Sequence, residues 1–157
     1  MKQMLKISAA LAVLAGVLMI IGGSWGIIFT YKNVADENIT TPKDASIPNT
    51  RVRGPLTLKV QSDTILEHTL KSTGGKTFAE MPRTIPKLDV DGKPVLDADG
   101  KQVMVPNTAR DIWYQAMTLR TALHLGIITY AFSALVLFFG FISIWTGFTF
   151  FALSKKY

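Results

Sequence analysis

Two long apolar runs bracket this chain, and they limit what it can fold into more than any other feature. Ile7 to Tyr31 is 25 residues without a charged side chain, and Thr121 to Ser154 is 34 residues uncharged apart from His124. A hydrocarbon layer of about 30 Å takes roughly 20 residues of helix, so each run is long enough to cross a bilayer. Between them the composition changes. All 11 acidic residues and all 7 prolines lie from Lys32 to Arg120. Apolar residues fill 31 of those 89 positions, about 35%, against 45 of the other 68, about 66%.

This pattern predicts a membrane α-helical hairpin, two transmembrane helices with a small α+β extracytoplasmic domain between them. The expected segments are a tail at 1–6, a first span at 7–31, the domain at 32–120, a second span at 121–154 and a tail at 155–157. A signal peptide is the competing reading of the first run, because Met1 to Lys6 is basic. The run is longer than the apolar part of a signal peptide, however, and Gly22-Gly-Ser-Trp-Gly26 is a poor cleavage site, so an uncleaved anchor is expected.

The second run, at 1.5 Å per residue, makes about 50 Å of helix, more than the bilayer needs. Counting back from Leu153 places the outer boundary near Tyr130 to Phe132. One helix from about Thr108 to Lys155 is therefore expected, its first turns in water. Asn107-Thr108, just after Pro106, is the candidate N-cap.

Net charge +6 divides unevenly. Lys2, Lys6, Lys155 and Lys156 supply +4 from the tails, and the middle nets +2 from 13 basic and 11 acidic residues. Short basic tails stay on the cytoplasmic side of the plasma (inner) membrane, so both termini are expected inside and residues 32–120 outside. The evenly mixed middle offers no basic face for nucleic acid. No Asp, Glu, Lys or Arg lies within either span, which argues against a transporter or pump.

Both spans carry small residues at helical spacing. Ala12, Gly16, Gly22 and Gly26 do so in the first, and Gly126, Ser133, Gly140 and Gly147 recur every seven residues in the second. Small residues let helix backbones approach closely, and a seven-residue period keeps one seam toward a partner. The seam joins either the two spans to each other or this chain to another subunit. Trp25, Tyr31, Arg110, Trp113, Tyr114, Arg120 and Tyr130 are the expected outer-interface anchors, an aromatic belt with a basic collar that also suits headgroups or a partner.

In the middle, residues 32–50 show little periodicity. Leu56, Leu58 and Val60 alternate with polar residues and predict a strand over 54–61. Thr64 with Glu67 forms a capping box for a short helix that ends at Gly74-Gly75. Thr77 with Glu80 forms a second box on a single turn stopped by Pro82. Leu88-Asp-Val-Asp-Gly-Lys-Pro-Val95 is followed directly by Leu96-Asp-Ala-Asp-Gly-Lys-Gln-Val103, identical at six of eight positions. Asp91-Gly92 and Asp99-Gly100 are hairpin-turn pairs, so the 88–105 region is expected as a meander of strands at 84–90, 93–98 and 101–105. Neither repeat places oxygen ligands at the first position of an EF-hand loop, and solvated turns are expected in place of calcium sites.

The chain has two histidines, His68 and His124, and no cysteine. Two histidines far apart in sequence make a poor metal set, and no phosphate loop, nucleophile elbow or zinc motif occurs. No catalytic residue, cofactor or metal is expected.

The stretches Glu37-Asn-Ile-Thr40, Arg53-Gly-Pro-Leu-Thr57, Gln61-Ser-Asp63-x-Ile65-x-x-His68-x-Leu70 and Thr73-Gly-Gly-Lys-Thr-Phe-Ala-Glu80, set between two spans, resemble a family of small actinobacterial membrane proteins. The resemblance covers most of the chain. Its most specific part is Thr73 to Glu80, and the Asp-Gly repeat looks like an insertion. Members often carry a ring-opening dioxygenase label, which implies a metal enzyme whose ligand set these residues do not supply. The family setting implies an accessory subunit of a cell-envelope or respiratory assembly, such as a cytochrome bcc–oxidase supercomplex. The resulting expectation is a non-catalytic membrane accessory or scaffold subunit whose partners are membrane lipids and other membrane subunits. The alternative is an extracytoplasmic domain that binds or senses a lipid, glycan or cation.

Overall fold

The computed structural model describes residues 1–156, so Tyr157 of the expected tail lies outside the described residues. The chain is mostly helical: α1 is Lys2–Asp36, α2 is Pro55–Ser72, β1 is Thr84–Pro86, β2 is Met104–Pro106 and α3 is Thr108–Lys156. Helices α1 and α3 are long and apolar enough to cross a membrane. The chain divides into one compact unit of residues 1–60 with 123–157 and a second of residues 61–122, and the division cuts α2 and α3.

In the first unit, α1 and the later part of α3 pack antiparallel. Ala9, Gly16, Gly23 and Thr30 are the buried residues of α1, and Ser133, Gly140, Gly147 and Ser154 are buried on α3. Both sets recur every seven residues, so one stripe on each helix meets the other along its length. Helix α1 ends as Asn38 takes a left-handed conformation (φ 52°), and the Asn38 amide donates to the Ala35 carbonyl at 3.1 Å. Asn tolerates that region better than most residues because its short amide bonds locally.

Residues 39–52 then fold around one hydroxyl. Thr41 Oγ1 donates to the Ile47 carbonyl at 2.5 Å and accepts the Thr50 amide at 2.9 Å. Backbone bonds Thr41 N to Thr50 O and Val52 N to Ile39 O, both 2.9 Å, close the loop. Thr41 and Val52 are each only 1% exposed, so the stretch that lacked periodicity is an ordered loop with its own centre.

The strand expected over 54–61 is instead the first half of α2. Gly54 precedes Pro55 at the first helical position, where the missing N–H costs nothing. Thr57 Oγ1 accepts the amides of Arg53 and Gly54 at 3.0 and 3.1 Å, satisfying donors that precede the first turn. The helix buries Leu58, Val60, Ser62, Thr64 and Thr69 and half-buries Ile65. Leu58, Ser62, Ile65 and Thr69 are spaced for one helix face, but two of these four are hydroxyl residues, so hydropathy does not display the period. Leu56, which made the alternation, is exposed. Thr64, expected as an N-cap, is interior to α2. The expected glycine stop is present: Gly74 has φ +63°, Gly75 N donates to Leu70 O at 2.7 Å and Gly74 N to Lys71 O at 3.4 Å, the paired bonds of a Schellman cap.

The second unit contains α2 from Gln61, the turn at 76–81, a small β module and α3 up to Ala122. Its buried residues include Ser62, Thr64, Thr69, Thr73, Met81, Asn107, Trp113 and Ala116. Thr73 Oγ1 donates to Lys76 O at 2.7 Å, and Thr69 Oγ1 to Ile65 O at 2.6 Å. Buried hydroxyls need such partners.

The β module is not the expected three-strand meander. Lys87, Val95 and Val103 lie eight residues apart and close a ring of backbone bonds: Val95 N to Lys87 O at 2.8 Å, Val103 N to Val95 O at 2.9 Å and Lys87 N to Val103 O at 2.7 Å. Three antiparallel arms leave this ring. One is β1·β2, with Pro86 opposite Met104. The other two are single bridges, Leu88 opposite Pro94 and Leu96 opposite Gln102. Each sequence repeat thus folds on itself as one arm, because its Asp-Gly turn reverses the chain before a strand can lengthen. The bonds beside the first bridge run from Asp89 N to Lys93 O and from Val95 N to Lys87 O, so Pro94 sits at a position that needs no donor.

Candidate functional site

The residues expected at the seam and at the outer interface separate into three groups. In the first unit, small residues bring two backbones together. A Cβ added to Gly16 would stand 2.6 Å from Gly140 O, one on Gly23 would stand 2.9 Å from Ser133 O, and one on Gly147 would stand 2.9 Å from Ala9 O. Gly26 lies directly against Ser133 Oγ. Gly126 faces Leu58 of α2, 3.1 Å from such an added carbon. Ser143 Oγ donates to Ala12 O at 2.8 Å, a bond between helices where few other acceptors exist. The small-residue seam is therefore filled within this chain.

Gly22 departs from the expected set: nothing lies within 4 Å of an added Cβ there, and Gly23 holds the packed position. The spacing Ala9-Gly16-Gly23-Thr30 would have located it, since it repeats the seven-residue period already visible at Gly126-Ser133-Gly140-Gly147.

The second group joins α1, Arg53 and the later part of α3. Arg53 Nη1 donates to the Tyr31 hydroxyl at 3.0 Å, and the guanidinium carbon lies 5.8 Å from the Tyr31 ring centre. Tyr130 Oη donates to the Arg53 carbonyl at 2.6 Å. Tyr31 and Tyr130 are thus held through Arg53, which is not among the expected interface anchors because one arginine in a mixed segment carries no pattern. Trp25 is largely exposed and stacks on Phe29, ring centres 5.2 Å apart.

In the second unit, Arg110 and Trp113 do not form an outer collar. Trp113 is 8% exposed and belongs to the core. Arg110 Nη1 donates to Phe78 O at 3.0 Å and Met81 O at 2.5 Å, and its guanidinium lies 3.8 Å over the Phe78 ring. Its charge is spent on the 76–81 turn. Arg120 Nε reaches Ser62 Oγ at 3.3 Å. Tyr114 is exposed. The sequence could not separate these roles, because each of these residues lies on the same helix and differs only in which face it occupies.

The Thr77 to Glu80 box is a turn held by a carboxylate. Glu80 Oε2 accepts both the Thr77 amide and the Thr77 hydroxyl at 2.7 Å. These bonds, the amide first, hold the Glu80 carboxyl below its ordinary range, with the nearby Lys76 charge adding to the effect. Asp89 Oδ1 accepts the amides of Asp91 and Lys93, and Asp97 Oδ1 accepts those of Asp99 and Lys101, at 2.8 to 3.0 Å. Half of the repeat's aspartates therefore serve their own turns. Among the described residues no three His, Cys, Asp or Glu side chains converge as a metal set.

The outward faces of α1 and α3 are the largest remaining feature. Leu11, Leu14, Leu18, Ile21 and Ile28 on α1 and Phe132, Phe138, Phe141, Trp145 and Phe148 on α3 are exposed, and only 11% of the most apolar window of each helix is buried. A core helix of a water-soluble domain would be mostly covered. No protein-family model, curated protein or solved structure matches the chain.

Proposed function

We propose that this chain is a two-span integral membrane protein that serves as a non-catalytic accessory or scaffold subunit of a larger membrane complex. The observation that carries the reading is the contrast between the two sides of α1 and α3. Their inner stripes are closed against each other by glycine and serine, and their outer faces remain aromatic, aliphatic and uncovered. In lipid an uncovered apolar face is at no disadvantage, whereas in water a patch of this size is a strong liability. The basic tails favour both termini in the cytoplasm. The cytochrome bcc–oxidase supercomplex implied by the resemblance is one candidate for the complex.

Because the chain lacks cysteine, single cysteines introduced at Ser46 and near Met1 report topology without background. The reading expects the Ser46 site to react with an impermeant thiol reagent in intact cells and the Met1 site only after lysis. Gentle solubilisation then tests the subunit role. The expected result is a particle larger than the chain and its micelle, with a partner in fixed stoichiometry. A chain that migrates alone ends the subunit reading, and one released from membranes by alkaline carbonate ends the membrane reading.

A further inference from the structure

The seam between α1 and α3 opens into a groove toward the N-terminal end of α1. Lys6, Ala9, Ala10, Val13, Leu14 and Val17 form one wall, with Gly147, Phe148 and Phe151 opposite. The open groove has a volume of about 650 Å³. Ala9 and Gly147 close its floor, where a Cβ on Gly147 would stand 2.9 Å from Ala9 O, and Ala10, exposed on its wall, leaves space that a larger side chain would fill.

Three properties identify an occupant. The walls are apolar apart from Lys6. From Lys6 to Val17 the helix rises roughly 16 Å at 1.5 Å per residue, which is half of a hydrocarbon layer of about 30 Å and so one leaflet. The mouth is positive: Lys6 lines it, and the Lys155 ammonium sits 4.8 Å over the ring of Phe151. No Asp or Glu side chain lies in 1–35 or in 121–157.

We propose that this groove is a binding site for one anionic phospholipid, its acyl chain lying along Ala10, Val13, Leu14 and Val17 and its phosphate at Lys6 and Lys155. The assignment rests on the membrane-spanning reading above. A bound chain covers apolar wall that the two helices leave open, and each ammonium near an anionic headgroup strengthens association about fivefold. A zwitterionic lipid offers the same chain without the net charge.

The full-length chain, purified in mild detergent and supplied with phosphatidylglycerol or phosphatidylcholine, is read by native mass spectrometry. The expected result is a single phosphatidylglycerol adduct that survives activation several-fold better than the phosphatidylcholine adduct. Lys6→Gln lowers that preference about fivefold, and Ala10→Phe, a substitution at an exposed position that fills the groove, removes the adducts of both lipids. Helical circular dichroism equal to that of the unaltered chain verifies that each variant is folded. Equal retention of the two lipids, or adducts that ignore both substitutions, overturns the lipid site while the membrane reading stands. A chain absent from the membrane fraction overturns both.

Discussion

Gly16 and Gly140 meet backbone to backbone: a Cβ on Gly16 would lie 2.6 Å from the Gly140 carbonyl oxygen, and one on Gly140 would lie 3.0 Å from that of Gly16. Neither helix can accept even a methyl there without moving away from the other. Gly16→Ala and Gly140→Ala are each expected to lower stability by about 1–3 kcal/mol, the usual cost of overpacking. Gly22→Ala, with open space around it, is expected to be neutral or to gain up to about 1 kcal/mol from helix propensity. Unfolding midpoints in mixed micelles, titrated with a denaturing detergent, check the contrast. Equal effects at Gly16 and Gly22 would place the close contact elsewhere.

Arg110 ties the 76–81 turn to α3 through two carbonyls and one ring. Arg110→Met keeps the stem and loses the charged bonds, at a cost of about 2–3 kcal/mol. Arg110→Lys recovers only part, because a single ammonium lacks the planar fork. Hydrogen exchange should quicken across residues 76–82 in both variants, more in the first. Unchanged exchange in that turn would show that the guanidinium is not what holds it.

Glu80 predicts a pH dependence with a definite sign. Its carboxyl is held below the ordinary range when folded, so the turn is supported by it above the unfolded-state pKa, and the support disappears as pH falls through the folded-state value. Exchange protection of the Thr77 amide, followed from neutral pH into the acidic carboxylate range, should fall on the acid side. Glu80→Gln should flatten that profile. A variant with the same acid limb assigns the titration to another group.

The aspartates of the repeat are expected to divide by position. Asp89→Ala and Asp97→Ala each remove an acceptor of two amides and should destabilise their arms by about 0.5–1.5 kcal/mol. Asp91→Ala and Asp99→Ala should have little effect. Exchange of the Lys93 and Lys101 amides reads the difference. Were calcium the reason for the aspartates, all four substitutions would act together and only in its presence.

How far the sequence reached depended on whether a position's surroundings lie along the chain or across it. The start of α3 was legible because Asn107 caps locally, its Oδ1 accepting the Ala109 amide at 3.1 Å. The Gly74-Gly75 stop and the Asp-Gly turns were legible for the same reason, since positive φ is a property of the residue itself. The first half of α2 was not. Leu56, Leu58 and Val60 alternate as in a strand, and the helix face that is buried carries Ser62 and Thr69, whose hydroxyls conceal the period. Arg110 and Trp113 were misplaced because charge and aromaticity mark a residue as useful without saying which face of α3 it occupies.

What the sequence determined by itself was the pair of long apolar helices, the seven-residue recurrence of small residues and the turns of the repeat, each set by residues within a few positions of one another. Tertiary structure alone decided that Trp113 and not Tyr114 is buried, that Arg53 holds both Tyr31 and Tyr130, and that Lys87, Val95 and Val103 close a ring. Those relations join atoms far apart along the chain or choose between adjacent residues on a helix 100° apart, and only the packed partner makes that choice.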